Sequence, residues 1–439
     1  MSVARTATGT RPDRSSAIGE VLLSDGVSTV FQPIVDLESR AVAAYEALAR
    51  GPIGALHAPN ALFAAARRAG LLFELDDACR KAAFAAASRL GLVAPHTVFV
   101  NIEPEVLDHA PLTDLLAVAD AAPGELRVVI EITERALASR PAELLRTVER
   151  VRDIGWGVAL DDVGADSASL AFMALLRPDV VKLDLSVVQG RPSPAVAEIM
   201  HAVNAYAERS GAIVLAEGIE TEEHLVAARC LGATLGQGWL FGRPTADPDP
   251  RPPAQAIGLS VEPSPAAQLR EQSPFACLPS GVALKRSPKG LLIELSKQLE
   301  REAVRLGETC VVVSAFQHSR HFTADTALRY GELAQRTGFV CALGEGLSTE
   351  PLPGVRGADL AADDPMRGEW DIVVLSPHFS TALLARDLGD TGPERDRMFE
   401  YALTYQRPTV VRAAQSLLSR VAPRLPAALS PMPASASAG

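Results

Sequence analysis

The 439-residue chain lacks the features that define several common protein classes. It has only five cysteines, Cys79, Cys230, Cys277, Cys310 and Cys341, with no CxxC pair and no metal-type spacing. That excludes a disulfide framework or a cysteine-zinc site as the organising device and fits a reducing compartment, the cytoplasm. Positive charge is not in excess: 42 Lys and Arg stand against 53 Asp and Glu, a net charge of -11. Binding a DNA or RNA polymer by counterion release is therefore not expected. No uninterrupted apolar run reaches the ~20 residues of a membrane span, so a membrane partner is not expected either. The opening "MSVARTATGTRPDRSSAIGE" lacks the apolar centre of a secretory signal and reads as a disordered lead-in over residues 1–19.

What is present is ample core material, 48% apolar residues, in a length suited to two or three domains. Strand-like runs recur from about residue 28 to 243: "TVFQPIVDL", "VAAYEALAR", "TVFVNIEP", "LRVVIEITE", "GVALDDVG", "DVVKLDLSVV", "IVLAEGIE" and "ATLGQGWLFGRP". Helix-like stretches separate most of them, as in "PAELLRTVERVRDIG". Eight strands alternating with helices predict a TIM-like (β/α)8 barrel, with an open doubly wound sheet as the alternative. The first two strands have no helix between them, which makes that pair antiparallel. Residues 246–284 are rich in proline and read as an extended, semi-stiff linker. A smaller α/β domain is expected over 285–425, with helices at "PKGLLIELSKQLEREAVRLG", "TADTALRYGELAQRTG", "GPERDRMFEYALTYQR" and "RPTVVRAAQSLLSRVA". Its strands are "TCVVVSAFQ", "FVCALG" and "WDIVVLSP", and residues 426–439 form a flexible tail.

The chemistry gathers where the apolar runs of the first domain stop. Strand by strand these ends carry Glu46, Asn101, Glu131, Asp161 with Asp162, Lys182 with Asp184, and Glu217 with Glu220. In a parallel barrel all such ends open on one face, where catalytic groups sit. Singly, each acid could be a helix N-cap or a solvated strand end. Together they would repel one another in one cavity, and divalent cations offset that repulsion. Oxygen ligands without cysteine or histidine suit Mg²⁺ or Mn²⁺. Two such ions can activate water for in-line displacement at phosphorus.

The motifs "FQPIVDL", "YEALAR", "FVNIEPEVL", "EITE", "DDVGADSASL", "LRPDVVKLD", "AEGIE" and "GQGWLFGRP" occur in one order over residues 20–245. That set resembles the EAL domain, the cyclic di-GMP phosphodiesterase module. The resemblance implies a TIM-like barrel with an antiparallel first strand and hydrolysis of cyclic di-GMP to linear pGpG by two Mg²⁺ or Mn²⁺ ions. It implies ligands Glu46, Asn101, Glu131 and Asp161 for one ion, and Asp161, Asp162 and Glu217 for the other. Lys182 resembles the lysine that orients or deprotonates the attacking water. Glu220 matches a positioning glutamate, and Glu134 the one that steadies the loop after Asp162. Gln32 and Arg50 match substrate-contacting positions, and Gln237 a residue lining the site. The resemblance also implies a homodimer through the barrel domain. The loop departs from the family pattern at Val163, Asp166 and Ala168, and Trp239 stands where Tyr is common. The alternative function is an EAL domain with weak or no turnover, serving as a cyclic di-GMP receptor or signalling scaffold.

The second domain resembles the DICT domain, a sensory module, through "VVVSAFQHSRHFTADTALRYGELAQRTGFVCALG" and "WDIVVLSPHFSTALLARDL". The signal it would sense is unknown, and the expected effect is modulation of the barrel's activity. His318, His321 and His378 follow strands and read as solvated or helix-capping groups. Cys310 and Cys341 lie inside apolar runs and read as inert core thiols.

Overall fold

The computed structural model of the chain describes residues 13–109, 125–165, 168–249, 257–259, 272–391 and 393–421, with only the backbone of 107–109, 134–136 and 168. Eight strands close into a barrel in the order β1 (Ser28–Asp36), β2 (Val42–Arg50), β3 (Thr97–Asn101), β4 (Arg127–Thr133), β5 (Gly157–Val163), β6 (Val180–Leu183), β7 (Ile213–Ala216) and β8 (Leu235–Gln237). Strand β1 runs antiparallel to both β2 and β8, while β2 to β8 are mutually parallel. This is the TIM-like barrel with a reversed first strand. The short β1–β2 connection, Leu37 to Ala41, leaves no room for a crossover helix.

Helices α1 (Ala17–Leu23), α2 (Pro59–Ala69), α3 (Leu72–Arg89), α4 (Glu134–Ser139), α5 (Pro141–Asp153), α6 (Ala168–Leu176), α7 (Leu185–Val188), α8 (Pro194–Ser210) and α9 (Glu222–Cys230) accompany the barrel. The Ser16 hydroxyl caps α1 by accepting from Gly19 N. The lead-in is therefore shorter than residues 1–19. Alternate residues of the strands point inward, and Ile34, Ala44, Phe99, Val129, Ala159, Val180 and Leu215 fill the barrel's lower interior. Ile257 and Leu259 join this cluster, and Arg127 donates to the Ile257 carbonyl at 2.7 Å. That corrects the linker reading at this point: a proline-rich run carries an apolar plug into the base of the barrel. Residues 272–284 also depart from it, since Phe275 and Cys277 are buried and Phe275 N donates to Glu369 at 3.0 Å.

The second domain is a seven-stranded sheet in the order β12 (Val355–Ala358), β11 (Phe339–Glu345), β10 (Val311–His318), β13 (Glu369–Leu375), β14 (Ser380–Asp387), β15 (Met398–Thr404) and β9 (Lys285–Pro288). Its β10, β11 and β12 are parallel and the remainder antiparallel. Residues 398–404, expected in a helix, form β15. Phe399 and Tyr401 are buried on the sheet while Glu400 turns to Arg386, a period of two. Helices α10 (Lys289–Leu306) and α11 (Ala324–Arg336) cover one sheet face, and α12 (Arg407–Leu418) helps to cover the other.

That other face also receives the barrel. Helix α6 is apolar around its whole circumference, and Ser169 to Leu176 are all buried. One hydrophobic core joins Phe172 and Leu175 of α6 to Val313, Phe339, Val373 and Leu417 of the second domain. Polar contacts seal the rim. Gln415 donates to the Leu175 carbonyl at 2.7 Å, and Arg356 to the carbonyls of Ala138 and Ser139 at the end of α4, both at 3.2 Å. Cys310 and Cys341 are fully buried, and burial pushes both thiols up to about 12. Each of the three histidines has a partner, and His378 is solvent-exposed as well. His318 pairs with Glu345, His321 with Glu394, and His378 stacks on His201 with centroids 4.1 Å apart.

Candidate active site

The carboxylates at the strand ends converge. Register aligns Asn101 with Glu131, and Glu131 with Ala159 two residues before Asp161. Glu46 on β2 faces the same opening from the antiparallel pair, opposite Gln32. The adjacent aspartates are accommodated by an irregularity in the β5–β6 ladder between Leu160 and Val163. Asp162 adopts φ 56°, a left-handed conformation that Asp tolerates better than most residues. The strand's alternation ends there, so both carboxylates join the cluster. Gly164 follows at φ 103°, where a Cβ would lie 2.5 Å from Val187 Cγ2. Its N–H reaches the Ser169 hydroxyl of α6 at 3.4 Å, so metal-side loop and helix are directly linked.

Lys182 sits in the middle of the acids. Its Nζ lies 2.5 Å from Glu131 Oε1, 2.7 Å from Glu217 Oε1, 2.9 Å from Asp161 Oδ1 and 3.8 Å from Glu46 Oε1. Burial works against its charge, yet Asp161, Glu131, Glu217 and Glu46 hold the ammonium well above the usual lysine range. Burial, with Glu46 next, pushes Glu131 well up; burial pushes Glu217 up to about 8. Glu46 is also buried, but Lys182 and the Gln237 amide hold it below the ordinary carboxyl value. Gln237 Nε2 donates to Glu46 Oε2 at 2.6 Å and to Gln32 Oε1 at 3.1 Å, while Asn101 Nδ2 donates to Glu46 Oε1 at 3.1 Å.

One ammonium does not balance five carboxylates. Asp161, Asp162 and Glu217 each offer an oxygen within 4.8 Å of the others, a grouping that could hold a cation. Glu131 Oε2 and Gln237 Oε1 are buried and accept no hydrogen bond. The donors are all oxygens of acids and amides, so the set fits a hard divalent cation.

Some expected residues stand apart. Arg50 is half-buried and donates to the Ala49 carbonyl at 2.8 Å. Glu220 is exposed, and its side chain makes no hydrogen bond or ion pair among the described residues. The side chain of Glu134 and all of Asp166 lie outside the described residues. Beside the acids opens a cleft of about 1100 Å³, lined by Asn101, Asp161 and Asp162. It is also lined by Arg67, Asp76, Arg80 and Glu103, which the sequence pattern did not single out. Asp76 and Arg80 form a fully buried ion pair, and Asp76 Oδ1 accepts from Glu103 N at 3.1 Å. Their i,i+4 spacing reads as an ordinary exposed helix pair; only burial distinguishes it.

A closed barrel with one reversed strand and an acid cluster at its C-terminal mouth defines the class. The chain belongs to the EAL family, matching "EAL domain" over residues 16–244. Residues 267–388 match "Sensory domain in DIguanylate Cyclases and Two-component system". Over 232 residues the chain is 32% identical to the cyclic di-GMP phosphodiesterase NbdA of Pseudomonas aeruginosa, covering 51% of this chain and 30% of that protein. It is 37% identical over 118 residues to the cyclic di-GMP phosphodiesterase RocR of the same organism, covering 27% of this chain and 30% of RocR. The matches thus span about a third of those relatives' length. Among solved structures, a manganese and cyclic di-GMP complex of Klebsiella pneumoniae BlrP1 aligns at 31% identity and TM-score 0.46, covering 50% of this chain and 56% of that one.

Proposed function

We propose that the barrel hydrolyses one phosphodiester bond of cyclic di-GMP to linear pGpG, and that the C-terminal domain modulates this activity. The observation that carries the reading is the gathering of Glu46, Glu131, Asp161 and Glu217 around Lys182, with Asp162 grouped beside Asp161 and Glu217, next to a cleft of about 1100 Å³. The relatives named as cyclic di-GMP phosphodiesterases support the choice of substrate. Mg²⁺ or Mn²⁺ bound here would supply a water of lowered pKa and positive charge for the phosphate. Glu46, Asn101, Glu131 and Asp161 would hold one ion; Asp161, Asp162 and Glu217 would hold the second. Lys182 donates to groups at the reacting centre and keeps the acids together. Arg50 would turn from its carbonyl to a phosphate oxygen, a charge-assisted contact. Gln237 fixes Glu46 and is itself held by Gln32, and both would present amide groups to the substrate, while Glu220 would position the machinery from the β7 loop.

Modulation is supported by helix α6, which begins at the metal-side loop and ends inside the second domain's core. The same burial removes α6 from any contact between copies, so a homodimer through the barrel would use other surface. We place the activity in the cytoplasm; among the described residues no helix is long and apolar enough to cross a membrane.

The test is incubation of the purified full chain with cyclic di-GMP and either metal, with products separated by chromatography. Formation of pGpG, lost in Asp161→Asn, is expected. Absence of product with both metals from folded protein overturns the reading, and saturable binding without product selects the receptor alternative.

A further inference from the structure

The sheet face turned away from the barrel holds a second cavity, of about 390 Å³, between β10 and β13 and helices α10 and α11. That volume lies within the ~300–1,000 Å³ typical of small-molecule sites. Its walls are aromatic. Phe316 and Tyr330 have ring centroids 5.3 Å apart, and Trp370 faces the same space. Two polar groups are buried there without being exhausted. Ser296 Oγ is buried and has no hydrogen-bond partner. Lys289, 2% exposed, holds its ammonium 4.9 Å from the Trp370 ring centroid and pairs with Glu394.

Charge at the mouth has a sign. Among the lining cations, Lys289, Lys297 and Arg329 each have a carboxylate partner. Arg320 and Arg395 are exposed and make no side-chain hydrogen bond or ion pair among the described residues. Asp325, in the first turn of α11, opposes them as one carboxylate without an ion pair. Asp371 turns its carboxyl to the opposite sheet face, beside Glu369 and the Ala385 N–H. The balance favours an anion. Aromatic walls favour a flat ring body, because offset and edge-on ring contacts add to simple burial.

We propose that this cavity binds a flat aromatic anion, its rings against Trp370, Phe316 and Tyr330, Ser296 hydrogen-bonded to it, and its acidic group at Arg320 and Arg395. Nothing in the barrel's chemistry uses this site. Its position suits a sensor, since Ser314 and Phe316 face the cavity while Val313 and Ala315, between and beside them, pack in the core shared with α6. Binding stands independently of hydrolysis; only its regulatory meaning rests on the function proposed above.

The probe is 1-anilinonaphthalene-8-sulfonate, an aromatic anion, titrated calorimetrically into the full chain beside its uncharged parent, N-phenyl-1-naphthylamine. One saturable site is expected, with the sulfonate bound about tenfold more tightly than the parent. Arg320→Ala with Arg395→Ala, both on exposed positions, should erase that preference. Ser296→Leu, which fills the cavity instead of emptying it, should abolish binding while the melting temperature holds. Absence of a saturable site, equal binding of the two probes, or binding untouched by both variants would overturn the proposal. Production of pGpG is measured separately, so failure of the phosphodiesterase reading would be seen as such.

Discussion

The ring of Phe172, on the helix after the paired aspartates, meets Phe339 of the second sheet edge-on, with centroids 6.0 Å apart. Phe172 is 1% exposed, so its contacts lie wholly within the joined core. Phe172→Ala should cost about 3–5 kcal/mol, the range for emptying a buried aromatic site. Chemical denaturation of the full chain would measure the loss. A shift below about 1 kcal/mol would mean the helix is not packed between the two domains in solution.

Lys182→Met should lower turnover by a factor of roughly 10²–10³, the usual weight of a preorganised hydrogen-bond donor at a reacting centre. Without added metal it should also destabilise the chain, because removing one partner of a buried ion cluster leaves the acids uncompensated. Mn²⁺ should restore much of the lost melting temperature in the variant and raise it less in the parent chain. Equal responses to Mn²⁺ would argue that the acids do not share one cation site.

Burial pushes Glu369 up to about 7 and Glu217 up to about 8, against ordinary values of 4.5. Between the ordinary and the raised value the folded chain binds more protons than the unfolded one, so stability falls as pH rises. The metal-free chain should therefore melt at a higher temperature near pH 5 than near pH 8. Glu369→Gln should flatten the part of the slope up to about 7. Mn²⁺ should flatten the part owed to Glu217, since a cation can replace the proton. Melting curves at fixed ionic strength decide it; a slope of the opposite sign would refute the assignment.

Gly164→Ala sets a methyl 2.5 Å from Val187 at a backbone angle of 103°. The overpacking and strain should cost about 1–3 kcal/mol each. Because Asp162 is two residues away, turnover should fall further than global stability accounts for. Activity assayed well below the melting temperature would separate the two effects.

The barrel was legible because six of its eight strand-like runs end on a chemical marker and helix-like stretches separate most of them. Asp161 and Asp162 were conspicuous as neighbours that ordinary alternation would set on opposite faces. The second sheet was less legible. Residues 392–407 contain Glu, Arg, Met and Leu, good helix formers, and only pairing with β14 and β9 makes 398–404 a strand. The Asp76–Arg80 pair was hidden for a different reason. Its spacing is that of a solvent-facing pair, and its burial is set by strands and loops far away in the chain. Seating of Ile257 and Leu259 likewise depends on a hole made by all eight barrel strands.

That seating bears on how the protein can be dissected. A fragment ending at residue 249 keeps every acid of the cleft but leaves the hydrophobic floor of the barrel open to water. Ile34, Val129 and Ala159 would then be wetted from below, and the fragment would tend to aggregate for reasons unrelated to signalling. Ending instead after Leu259 retains the stopper, so the two fragments, both of which bare the apolar α6 face covered by the second sheet, differ only in that floor. Comparing the two lengths would separate a domain that regulates the enzyme from a chain segment that merely finishes building it.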